Sequence, residues 1–112
     1  MKTLSIAVLL ILGCAHAASA QLHGFGFVQG KIVDERGAPV PDVTFFATLP
    51  RVGGRLAGVS DQKGEWKIIG MAHGEWEITF EKSTYTKRSI KLILESELAR
   101  VPPITVKLKP AS

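Results

Sequence analysis

The chain has 112 residues, 46% of them apolar, and its 14 basic against 10 acidic side chains give a formal charge of +4. That length fits one small domain. The charges are dispersed with both signs alternating, which lacks the basic stripe of a nucleic-acid binder.

The first element is MKTLSIAVLLILGCAHAASA, residues 1–20. Lys2 makes a basic start, residues 4–12 an apolar run, and Ala18-Ser19-Ala20 a small-residue end. This is the order of a secretory signal peptide, with cleavage expected between Ala20 and Gln21. The apolar run is shorter than the roughly 20 residues of a membrane-spanning helix. A competing route starts from ILGC, which resembles the lipobox of bacterial lipoproteins and would make Cys14 the lipidated residue. Leu12 stands where a small residue is usual, and a good cleavage site follows at Ala20, so plain cleavage is favoured. Both routes predict export, either secreted or periplasmic, or lipid-anchored at a membrane surface. Cys14 is the only cysteine. The domain beyond it therefore has no disulfide and relies on apolar packing.

Residues 21–26 are expected to be a flexible lead-in to a domain spanning 27–110. From there the pattern is period-two alternation. Val28, Gly30 and Ile32 share one side of a first strand. Val43, Phe45 and Ala47 share one side of a second, and residues 56–59 form a weaker run. Trp66 and Ile68 then alternate with Glu65 and Lys67, and Trp76, Ile78 and Phe80 with Glu75, Glu77, Thr79 and Glu81. Ile90, Leu92 and Leu94 form another inward row, and Ile104, Val106 and Leu108 the last. Residues 95–101 are read as a loop or single turn, cut short by Pro102 and Pro103. Pairing Glu81 with Lys87 would place Glu77 opposite Lys91 in a hairpin.

Turn signals separate these runs. In VDERGAPVPDV, Asp34 suits the first position of a type I turn and Gly37 the left-handed position that follows. DQKG repeats the arrangement with Asp61 and Gly64. Pro39 and Pro41 lack N–H groups and bar residues 38–42 from central-strand pairing. Short strands at this spacing predict an all-β antiparallel sandwich or small barrel, of six strands with 56–59 as a possible seventh.

VQGKIVDERGAPVPDVTFF, GVSDQKGEWKI and GEWEITF together resemble the carboxypeptidase regulatory-like domain. The resemblance covers about residues 27–108 and implies a transthyretin-like, seven-stranded Greek-key β-sandwich (all-β, antiparallel) of the sort that serves as an accessory module in secreted and surface proteins, usually without catalysis. The chain departs from the pattern at KSTYTKR, where Ser83-Thr84-Tyr85 replaces a usual Gly-Tyr pair. Hydroxyisourate hydrolases share that fold. They resemble this chain at the first strand, but place a histidine where Lys31 stands and an arginine where Glu65 stands. They also end in Tyr-Arg-Gly-Ser rather than LKPAS. The comparison predicts no such activity here.

Candidate site residues each have a bland reading beside the functional one. His23 and His73 are too few for a metal centre without further ligands. Asp34, Glu35 and Asp61 lack the alternation of a calcium loop and are read as turn formers. Trp66 and Trp76 share the parity of core residues. A carbohydrate-binding module would need one of them exposed. Phe46 and Ile93 have outward parity and would form a docking face if they were neighbours, with Phe25, Phe27 or Tyr85 beside them.

No cofactor, metal, nucleic-acid partner or catalytic constellation is expected. Membrane contact is expected only through a lipid on Cys14. The function predicted is an exported, non-catalytic module that binds or scaffolds another envelope or extracellular component, chiefly a protein. A carbohydrate-binding module is the alternative, and a small secreted hydrolase comes after it.

Overall fold

The computed structural model describes residues 22–50, 52–96 and 100–111. The expected processing residues Cys14, Ala20 and Gln21 lie outside them. Seven strands follow in chain order: β1 His23–Val33, β2 Thr44–Thr48, β3 Leu56–Val59, β4 Glu65–Met71, β5 Gly74–Glu81, β6 Arg88–Leu94 and β7 Ile104–Lys107. They form a three-stranded sheet, β4-β1-β7, and a four-stranded sheet, β3-β2-β5-β6. The predicted seven-stranded sandwich is thus present, including the weakly signalled β3.

Two details differ from the sequence reading. β1 opens at His23, inside the segment expected to be a flexible lead-in, and His23 and Gly26 both pair with Met71. Leu22 is buried against the core just before it. In addition, β1 and β7 run parallel, whereas all other pairs are antiparallel. Alternation fixes which side chains face inward but carries no strand direction. The parallel pair arises because the chain crosses from β6, in one sheet, to β7 in the other. Between them, residues 95–96 and 100–103 have no regular structure, and 97–99 lie outside the described residues.

The two aspartate turns match each other bond for bond. Asp34 Oδ1 accepts from the N–H groups of Arg36 and Ala38, both at 2.9 Å. Asp61 Oδ1 accepts from Lys63 and Glu65, again at 2.9 Å. Gly37 and Gly64 follow at φ 84° and 74°. At Gly64 a β-carbon would also run into the Ile32 carbonyl, 2.6 Å away, so only glycine fits.

The proline segment then crosses between the sheets. Val40 N–H donates to Ile32 O at 2.9 Å, and the Val40 side chain is buried. Ser60 locks the crossover from below. Its buried hydroxyl donates to Val40 O at 3.1 Å and accepts from Val43 N–H at 2.9 Å.

The core joins the sheets through three aromatic rings. Trp66 of β4 packs edge-on against Phe80 of β5 at 5.0 Å and against Phe45 of β2 at 5.8 Å between ring centroids. Such pairs add to the large area each ring buries. Trp76 is held separately by its indole N–H, which donates to Ala72 O at 2.9 Å.

The departing segment KSTYTKR makes a tight turn, with Tyr85 N–H donating to Lys82 O at 2.9 Å. Tyr85 then bridges to Pro110, which ties the β5–β6 connection to the chain beyond β7.

Candidate functional site

The sequence-based site residues do not converge. Trp66 and Trp76 are 2% and 1% exposed, so neither offers a stacking platform for a sugar. The Trp66 indole N–H is buried and meets no acceptor among the described residues. An orphaned buried donor costs about 1–3 kcal/mol. His23 and His73 are exposed. Asp34 and Asp61 spend a carboxylate oxygen on their turns. Among the described residues, no three His, Cys, Asp or Glu side chains gather as metal ligands.

Phe46 and Ile93 do share the outer face of the four-stranded sheet, but they are not neighbours. Phe46 lies opposite Thr79, and Thr79 opposite Ser89. Ile93 sits four residues beyond Ser89, so the two are roughly 16 Å apart from strand spacing and rise. Glu77, opposite Lys91, occupies the row between them. Phe46 is half-buried beneath the Arg55 guanidinium, 4.8 Å from its ring centroid. The register leaves Ile93, 64% exposed, as an isolated apolar residue on a polar face.

A contiguous apolar surface lies instead on the outer face of the three-stranded sheet. Phe27 of β1 is directly opposite Ile69 of β4, and Phe25, two residues earlier beside an irregularity in the ladder, is exposed in alternation with buried Gly26. Phe27, Ile69 and Phe25 are 40%, 68% and 86% exposed, respectively. Cross-strand partners of this kind have β-carbons about 5 Å apart. Phe25 and Phe27 were visible in the sequence. Ile69 was not singled out: alternation from inward Ile68 gives it outward parity, but only the register places it opposite Phe27.

This surface adjoins an unpaired strand edge. Ile32 N–H donates to Gly64 O at 2.7 Å, which fixes the phase of the β1–β4 ladder. The backbone groups of Trp66 and Ile68 therefore point to β1, and those of Lys67 and Ile69 point away from it. β4 is the terminal strand of its sheet. Gly70, at φ 78°, ends this edge as the extra residue of a bulge between Ile69 and Met71. A cleft of about 600 Å³ runs along the same region, lined in part by Gly58, Val59, Glu65, Trp66 and Lys67. Lys31 and Glu65, the positions that differ from the hydroxyisourate hydrolases, face each other across β1 and β4 beside it.

No family model matches the chain, and no curated protein does. Solved structures do resemble it. The 3-chlorocatechol 1,2-dioxygenase of Rhodococcus opacus is 16% identical with a TM-score of 0.58, over 81% of this chain and 61% of that one. A streptococcal ancillary pilin is 17% identical with a TM-score of 0.57, over 80% of this chain and 30% of that one. A minor pilin of Streptococcus agalactiae is 14% identical with a TM-score of 0.57, over 81% and 47%. The chain thus spans about three fifths or less of these proteins' lengths. At such identities the likeness is one of fold, a β-sandwich shared by pilins and by parts of dioxygenases.

Proposed function

We propose that this chain is an exported, non-catalytic β-sandwich module of the carboxypeptidase regulatory-like kind, which docks a protein of the cell envelope or exterior. The family reading rests on the three motifs around Asp34, Asp61 and Trp76. Export rests on the signal-like order of residues 1–20. The pilins among the structural neighbours agree with a scaffold role outside the cell.

The observation that carries the docking is the exposed Phe25–Phe27–Ile69 surface beside the open β4 edge. The three side chains offer roughly 300–400 Å². A standard interface takes about 800 Å² per partner. The apolar surface alone falls short, and the backbone of Lys67 and Ile69 supplies what it lacks. A partner strand paired there would gain main-chain hydrogen bonds and lay alternate side chains against Ile69 and Phe27.

Photocrosslinking from p-benzoylphenylalanine at position 27, in a host that exports the chain, tests this reading. The expected result is an adduct with one protein, lost in Ile69→Asp and absent when the probe sits at position 46. Equal capture from both positions, or no protein adduct from position 27, overturns it. N-terminal sequencing of the exported chain separates a start at Gln21 from a lipidated start at Cys14.

A further inference from the structure

The basic residues that are scattered in the sequence are gathered by the fold at the edge opposite β4. Lys87, Arg88, Lys107 and Lys109, with Thr86, line a small concavity of about 190 Å³ where the β6 and β7 edges meet. Backbone and side-chain bonds hold this seam in place. Thr86 N–H donates to Lys109 O at 2.8 Å, and Arg88 Nη1 donates to Lys107 O at 2.8 Å. The latter bond takes one of the five guanidinium donors and leaves the rest free.

The charge here is poorly compensated. Lys87 reaches Glu81 at 3.2 Å, the only ion pair among the described residues. Lys107 and Lys109 have no carboxylate partner there, and all four cations are exposed. Both lysines flank buried Leu108 on an extended stretch, which sets them about 6–7 Å apart. Arginine offers a fork to an oxyanion, and lysines offer mobile point charges. No aromatic ring lines the concavity, so it lacks the stacking platform on which single-stranded nucleic acid is held.

We propose that the β6–β7 seam binds a linear acidic glycan bearing sulfate or phosphate groups. Recognition is by charge at Lys107, Lys109 and Arg88, independent of the buried tryptophans and of the apolar docking surface.

Titration of the exported chain with fluorescein-labelled heparin, read by anisotropy, tests this. With three or four cations engaged, affinity should fall about 20- to 50-fold between about 50 mM and about 200 mM salt. Lys107→Glu with Lys109→Glu should weaken binding at least about tenfold at the lower salt. Lys107→Gln with Lys109→Gln, gentler to the fold, should show a smaller loss in the same direction. Arg55→Glu with Lys63→Glu makes the same net charge change at the β3 side, the edge farthest from β6. At that distance it should alter affinity less than about threefold, because salt screens it. Absence of binding at the lower salt, or equal losses from the two Glu pairs, overturns the proposal. So does binding to poly(dT) or to phosphatidylglycerol vesicles that is as tight as heparin and equally dependent on Lys107 and Lys109.

Discussion

The two outer faces of this sandwich use the same alternation to opposite ends. On the four-stranded sheet, most outward residues find company, Ile93 being the exception. Thr79 and Ser89 share a hydrogen bond at 3.0 Å, Glu81 meets Lys87, Glu77 lies opposite Lys91, and Arg55 covers Phe46. On the three-stranded sheet, the row of Lys31 and Glu65 is balanced in the same way. Two rows further along, Phe27 and Ile69 face each other with Phe25 beside them and nothing above. Solvent exposure of a single apolar residue is ordinary, but a cluster beside an unpaired edge is not. The difference shows that outward parity assigns a direction, and register decides whether the residue there is covered.

The largest effect on this comparison should come from Gly30→Val. A side chain at that position runs into the carbonyl of Ile104, its partner on the neighbouring strand β7. Losing the β1–β7 pair should cost about 3 kcal/mol or more in urea unfolding. A loss under about 1 kcal/mol would mean that the three-stranded sheet tolerates β7 elsewhere. A middle-sized effect separates the faces directly. Phe46→Ser should cost about 1 kcal/mol, because that residue is partly buried beneath Arg55. Phe25→Ser should lie within about 0.5 kcal/mol of the parent. Matching losses at the two positions would erase the contrast between a covered face and an open one. Smallest of all, Lys87→Ala should change stability by less than about 0.5 kcal/mol, as expected for an exposed ion pair. A larger loss would show that charge pairing helps hold the four-stranded sheet and does more than set its register.

Much of the fold was legible because its signals are local. Asp34 and Gly37, and Asp61 and Gly64, form turns whose bonds span at most four residues. The inward rows of Trp66, Trp76, Ile78 and Phe80 follow from period-two alternation, and all four are buried. Even the hairpin register was available, since placing Glu81 beside Lys87 set Glu77 opposite Lys91 as found. The start of β1 was not, because His23 and Gly24 carry no apolar alternation, although His23 pairs with Met71.

The surfaces were far less legible. Phe46 and Ile93 share parity but are separated by two strands and two rows, a distance that requires the registers of the β2–β5 and β5–β6 pairs. The cations of the β6–β7 seam look dispersed because about twenty residues separate TKR from KLK in the chain. Sequence by itself determined the class of fold, the turns and the inward rows, because each depends on contacts between near neighbours. Tertiary structure alone decided the parallel β1–β7 pair, the exposed Phe25–Phe27–Ile69 surface and the cationic seam. Those depend on which strands lie side by side, and alternation is the same whichever neighbour a strand has.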